Sequence, residues 1–163
     1  MEYKHFMGVE IERKYLVNKD KWKDFEKVEG TFYRQGYILT DPNKTIRIRL
    51  TDKQGYLTIK GLAVGMSRPE FEYAIPTKDA KELLDNFCIT TISKIRYKVK
   101  FAGKLWEVDE FLDDNEGLLT AEIELRGEQE QFDLPPFIDK EVTGEKKYYS
   151  SNLSINPYRK WKE

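Results

Sequence analysis

The sequence predicts an α+β domain, mainly β, in which eight antiparallel strands close into a barrel or tunnel and helices pack on its outside. Three observations carry this. Apolar and polar residues alternate with period two in segment after segment, short turn signals interrupt the alternation, and two other segments carry apolar stripes at helical spacing. In the strand segments one register is apolar and the other strongly charged, so each strand has two faces of opposite character.

The first strand, Val9 to Val17, sets the pattern: Glu10, Glu12 and Lys14 project from one face, and Val9, Ile11, Tyr15 and Val17 from the other. Asn18 or Asp20 then caps a helix running through Val28, with Trp22, Phe25 and Val28 near one face. Four strands follow, Phe32 to Thr40, Thr45 to Thr51, Tyr56 to Gly61 and Arg68 to Ile75. They are punctuated by Asp41-Pro42-Asn43 and Asp52-Lys53-Gln54-Gly55. Thr77 is expected to cap a helix over Lys78 to Phe87, whose Ala80, Leu83, Leu84 and Phe87 fall at i, i+3, i+4 and i+7. The last three strands are Thr91 to Phe101, Lys104 to Phe111 and Leu119 to Leu125, joined by Ala102-Gly103 and by Asp113 to Gly117. These short joints suit antiparallel hairpins better than parallel crossovers. After the Pro135-Pro136 break, a third helix is expected beyond Thr143, including Lys146, Lys147 and Tyr148.

At 163 residues the chain has the length of one domain, spanning 1–163. Charged residues reach 35%, yet 28 basic and 29 acidic side chains leave a formal charge of -1, which argues against a generic binder of nucleic acid or anionic membrane. Aromatics at 13% supply a packed core rather than a disordered chain. The single Cys88 excludes an internal disulfide and a cysteine-rich zinc site, and beside Phe87 and Ile89 it is expected to be a small buried residue. The lone His5 is expected at the terminal surface and builds no histidine-rich metal site. No apolar run approaches the roughly 18 residues of a membrane span, and Met1 to Met7 lacks the apolar segment of a secretory signal. A cytoplasmic protein, monomer or homodimer, with a small-molecule partner is therefore expected.

The charged register recurs down the chain. Arg47 and Arg49 alternate with Ile46, Ile48 and Leu50; Lys60 with Ile59; Glu70 and Glu72 with Phe71 and Tyr73. Lys94, Arg96, Lys98 and Lys100 alternate with Ile95, Tyr97, Val99 and Phe101, Glu107 and Asp109 with Trp106 and Val108, and Glu122 and Glu124 with Ala121, Ile123 and Leu125. On one strand such a face is usually a wet surface. Seven strands sharing it, with helices available to cover the apolar side, turn the charged face inward, and eight closed strands enclose a space of ligand size. Charges inside such a lumen need ions, water or each other.

Two chemical subsets emerge. Arg47, Arg49, Lys60, Lys94 and Arg96 supply the forks and point charges that suit several phosphate groups in a row. Glu10, Glu12, Glu122 and Glu124, with Asp109 in register, supply hard oxygen ligands for Mg²⁺ or Mn²⁺. A GxxxxGK[ST] loop is missing, so a phosphate cradle here consists of side chains.

At Glu10-Ile11-Glu12-Arg13-Lys14 the chain resembles the CYTH superfamily of triphosphate tunnel metalloenzymes, whose signature is ExExK. The resemblance extends in order through Arg47/Arg49, Lys60, Glu70/Glu72, Lys94/Arg96, Glu107/Asp109 and Glu122/Glu124, covering roughly Val9 to Leu153. Glu10 to Val17 (EIERKYLV), Gln35 to Leu39 (QGYIL) and Glu141 to Leu153 (EVTGEKKYYSSNL) are similar to short bacterial members that act on inorganic triphosphate. Ending at Glu163, the chain is similar to the stand-alone form. The resemblance implies an eight-stranded tunnel and metal-dependent hydrolysis of tripolyphosphate to pyrophosphate and phosphate. Lys14, Glu12, Glu122 and Glu124 are then expected as catalytic residues, and Lys14, Arg47, Arg49, Lys60, Lys94 and Arg96 as substrate ligands. Glu10, Glu12, Asp109, Glu122 and Glu124 are expected around Mg²⁺ or Mn²⁺. The segment with Lys147 and Tyr148 resembles the helix that plugs one tunnel end, while Lys146 and Lys147 fit a solvated role equally well. Competing readings are a class IV adenylyl cyclase, a thiamine triphosphatase and a noncatalytic polyphosphate or nucleotide binder.

Overall fold

A computed structural model describes residues 8–41 and 43–161; His5 and the Met1 to Met7 stretch lie outside the described residues. The strands are β1 (Val9–Val17), β2 (Thr31–Leu39), β3 (Lys44–Leu50), β4 (Gly55–Gly61), β5 (Ser67–Ile75), β6 (Thr91–Phe101), β7 (Lys104–Phe111), β8 (Leu119–Glu124) and β9 (Ile138–Glu141). The helices are α1 (Lys19–Asp24), α2 (Thr77–Phe87) and α3 (Ser150–Leu153). Strands run antiparallel in the order β5-β4-β3-β2-β6-β7-β8-β1, and β1 pairs back onto β5, closing a ring of eight. Closure works because β1 divides its length: Val9 to Ile11 pair with β5, and Glu12 to Leu16 with β8.

β9 was not expected from the sequence. It is four residues long, follows Pro135-Pro136, and pairs with the outer half of β1, where Arg13 donates to both Glu141 carboxylate oxygens at 2.8 and 2.6 Å. The joint between β6 and β7 is a two-residue turn in which Ala102 (φ 48) and Gly103 (φ 78) are both left-handed, as such a hairpin requires.

Among the described residues three apolar clusters pack against the ring, two outside it and one inside. Outside β1, β6, β7 and β8, Tyr15, Val17, Val99, Trp106, Ala121 and Ile123 pack with Trp22 of α1 and with Phe137. α1 is shorter than expected. Asn18 does cap it, accepting from Lys21 N at 3.0 Å, but Lys27 Nζ caps its far end by donating to the Trp22 and Phe25 carbonyls, and Val28 is left 66% exposed. Outside β3 and β4, Ala80 and Leu84 of α2 cover Ile48. α2 sits tight against the sheet because two positions lack a Cβ: one on Gly36 would lie 2.9 Å from Cys88 Cβ, and one on Gly55 2.7 Å from Ala80 Cβ. Cys88 packs there half-buried rather than fully buried. Thr77 makes no capping hydrogen bond, since Pro76 occupies the N-cap position.

The third cluster lies within the ring. Leu16, Ile92, Phe111 and Leu118 continue the registers of Lys14, Lys94, Asp109 and Thr120, and pack with Val142, Tyr148 and Leu153. Apolar side chains thus close the interior beyond the charged zone. The expected third helix resolves into a 3-10 turn at Lys146–Tyr148 and the single turn of α3; Tyr148 is buried in the closure while Lys146 and Lys147 are exposed. Among the described residues no helix is long and apolar enough to cross a membrane.

Candidate active site

The charged register faces a cavity inside the ring, and every expected site residue except Asp109 lines it. Strand pairing sets the neighbours. Across β3, β4 and β5 the inward rungs are Thr45 opposite Lys60, Lys60 opposite Glu70, Arg47 opposite Thr58, and Thr58 opposite Glu72. Lys60 Nζ lies 3.0 and 3.2 Å from the Glu10 oxygens and 3.1 Å from Glu70. Arg47 reaches Thr58 at 3.3 Å and Glu72 at 3.6 Å, and Arg49 reaches Glu72 at 3.4 Å.

On the opposite wall Asp109 is clamped. Arg96 donates to its two oxygens at 2.7 and 2.9 Å and Lys94 at 2.8 Å, all three side chains being buried. Although burial pushes the Asp109 carboxyl up, Arg96 and Lys94 hold it down to about 2. Of the residues expected around the metal, Asp109 is the one set apart from the cavity lining. Its oxygens are taken by the two cations and it sits behind the cavity wall. Burial, and next the neighbouring Arg96, push the Lys94 ammonium down to about 7, against the pull of Asp109. Lys98 and Lys100, expected on the inner face, are exposed, because β6 runs on past Arg96 to its tip.

The acids of β1 and β8 are set directly against one another. Glu12 opposes Glu124 across the β1/β8 ladder, and Glu107 opposes Glu122 across β7/β8, arrangements that repel when both partners are ionised. Glu12 and Glu122 share a hydrogen bond. Burial and the charges of Glu10 and Glu122 hold Glu12 well above the usual carboxylate range, whereas Lys14, the Glu12 hydrogen bond and Arg96 hold Glu122 well below it despite burial. The same division occurs between Glu10, raised by burial, and Glu70, held down to about 2 by Lys60 and the Glu10 hydrogen bond against its own burial. Two carboxylates in contact require a proton or a cation between them. Among the described residues no three acidic, histidine or cysteine side chains converge as a complete metal cage. Paired oxygens instead match a small hard cation that takes one or two carboxylates and completes its shell with water and phosphate.

The lining residues that escaped the sequence reading include Arg68 and Tyr149. Arg68 shares the inward register of Glu70 and Glu72, a parity signal that was available; its guanidinium donates to the Gly61 carbonyl at 2.9 and 3.2 Å and stacks 5.7 Å from the Tyr149 ring. Tyr149, also 5.7 Å from Lys14 Nζ, lies in an irregular segment where periodicity says nothing.

Known proteins match this chain along most of its length. The model of the CYTH domain family matches residues 8–155. An inorganic triphosphatase of Acetivibrio thermocellus is 50% identical over 158 residues, 96% of this chain and 100% of the relative. One of Nitrosomonas europaea is 33% identical over 152 residues, 90% of this chain and 97% of the relative. The crystal structure of the inorganic triphosphatase NE1496 superposes with a TM-score of 0.63 at 29% identity, covering 93% of this chain and 97% of that one.

Proposed function

The chain belongs to the CYTH domain family, and from that premise we propose that it is a divalent-metal-dependent triphosphatase hydrolysing inorganic tripolyphosphate to pyrophosphate and phosphate. The observation that carries this reading is one cavity in which Arg47, Arg49, Lys60, Lys94 and Arg96 face directly opposed carboxylates of β1 and β8.

The five cations, with Lys14, bind the nonbridging oxygens and hold the phosphate chain in line for attack. Each is fixed from behind: Lys94 and Arg96 by Asp109, Lys60 by Glu10 and Glu70, Arg47 and Arg49 by Glu72. Asp109 is in this reading a positioning residue. Glu12, Glu122 and Glu124, with Glu10 beside them, would hold Mg²⁺ or Mn²⁺, which when bound would withdraw charge from the phosphates and lower the pKa of a water. Lys14, 3.8 Å from Glu122, keeps that carboxylate ionised and oriented. The water oxygen forms a bond to the terminal phosphorus as the bridging P–O bond breaks; one water hydrogen stays on the new phosphate, the other passes to the pyrophosphate, which departs with the bonding pair, its charge met by the arginine and lysine set. The protein exists in this scheme as a small-molecule enzyme acting in the cytoplasm.

Phosphate release from tripolyphosphate, ATP and thiamine triphosphate, each with Mg²⁺, Mn²⁺ or a chelator, tests the proposal alongside an assay for cyclic AMP. Release from tripolyphosphate that depends on the metal is expected. Cyclic AMP accumulation from ATP without tripolyphosphate cleavage would overturn it.

A further inference from the structure

Gln35 opens the QGYIL segment and stands on the inward register of β2. It is completely buried, and neither its carboxamide oxygen nor its nitrogen has a hydrogen-bond partner among the described residues. Buried carboxamides are ordinarily satisfied, so an unmet one calls for a reason. The ladder supplies a neighbour on each side. On β6 the opposed residue is Ile92 of the apolar closure, which offers nothing polar; on β3 it is Arg49.

Arg49 has the complementary defect. Its Nε is buried without a partner among the described residues, its outer nitrogen reaches Glu72 only at 3.4 Å, and its guanidinium lies 5.4 Å from the Tyr33 ring. Directly opposed residues on one sheet face have Cβ atoms about 4.5–5.5 Å apart, within reach of two long side chains. An unused acceptor therefore stands beside an unused donor. Because both carboxamide atoms are unpartnered, this holds whichever way the amide is turned. Gln35 also differs from Glu72 in being neutral: a bond to it orients the guanidinium without offsetting the charge a phosphate needs.

We propose that Gln35 is the positioning residue for Arg49: in the substrate-loaded cavity its carboxamide oxygen accepts the Arg49 Nε–H, directly or through one buried water. The bond turns the two terminal nitrogens of the guanidinium toward the phosphate chain. This rests on the triphosphate reading above, and the role is one of binding rather than chemistry.

The test uses Gln35→Met, which keeps the length and removes both polar atoms, with thermal melting, calorimetric titration of tripolyphosphate without metal, and steady-state kinetics. Melting of the free protein at or above the wild-type temperature is expected, because an unsatisfied buried group has been removed. KM is expected to rise about tenfold with kcat within about threefold, the scale of one hydrogen bond to a charged group. In an Arg49→Lys background, where no Nε fork exists, Gln35→Met is expected to add nothing to KM. An unchanged KM in Gln35→Met, or the same tenfold rise in the Lys background, overturns the assignment. A lowered melting temperature with unchanged KM makes Gln35 purely structural and overturns it too. Wild-type protein that fails to bind tripolyphosphate defeats the triphosphate reading itself, whereas equal binding by wild type and Gln35→Met defeats only the role of Gln35.

Discussion

Replacing Asp109 by Asn removes the anion against which Lys94 and Arg96 are buried, and its cost follows from the geometry. Asp109 is 1% exposed and receives three charge-assisted hydrogen bonds of 2.7 to 2.9 Å. Its carboxyl is held down to about 2 from 3.8, so ionisation at neutral pH stabilises the fold by about 2 kcal/mol. The folded value is the depressed one, so this contribution is complete above pH 3.8 and is lost as pH falls through about 2. Asn goes further than protonation, because two buried cations then face each other, and removing one partner from a buried pair costs about 3–5 kcal/mol. Lys94 limits the damage: already pushed down to about 7, it sheds its proton near neutral pH in the variant, which selects the lower end, about 3 kcal/mol. For a chain of this length that is a fall in Tm of about 6–12 °C. Calorimetric melting at pH 7 and pH 9 reads it, with a smaller loss at pH 9, where Lys94 is neutral in both proteins. Tripolyphosphate added without metal is expected to restore part of the loss by supplying anionic oxygens to the same cations. A fall below about 2 °C together with abolished metal binding would refute the reasoning and return Asp109 to the metal ligands.

Three further outcomes are expected. Glu122→Gln keeps a hydrogen-bond partner for Glu12 and relieves the opposition with Glu107, so Tm moves by only a few degrees while activity falls about 100-fold or more; parallel loss of both would make Glu122 structural. Arg47→Ala raises KM for tripolyphosphate about tenfold or more with a smaller change in kcat, and an unaltered KM in initial-rate measurements removes Arg47 from the cradle. Because Glu12 carries the proton it shares with Glu122 and sits well above the usual carboxylate range, a divalent cation must displace that proton. Affinity for Mn²⁺ therefore rises with pH until Glu12 ionises by itself. Titration calorimetry in two buffers of different ionisation enthalpy detects the released proton, and its absence excludes this pair as the cation site.

Much of the fold was legible because strand alternation is a local property. The eight strand positions follow directly from period two and the turn residues, and the inward placement of Glu10, Arg47, Lys60 and Glu122 follows from the same parity. β9 was missed since four residues after a proline pair carry no alternation of their own and hold their place only by pairing with β1. The early end of α1 depends on Lys27 folding back onto two carbonyls, an event the apolar stripe does not register. Asp109 shares its register with acids that line the cavity, so parity alone placed it among them; its capture by Arg96 and Lys94 depends on which strand lies next to β7.

The linear order of residues by itself determined which side chains share a face, since alternate projection holds for any extended chain whatever its neighbours. It also determined that the shared face holds cations and carboxylates in nearly equal number. Closure of the ring decided the rest. Which acid meets which base, where a carboxylate pair must share a proton, and which end Leu16, Ile92, Phe111 and Leu118 seal all depend on strand order and register. Those relations join residues as far apart as Lys14 and Glu122, whose distance no pattern along the chain encodes.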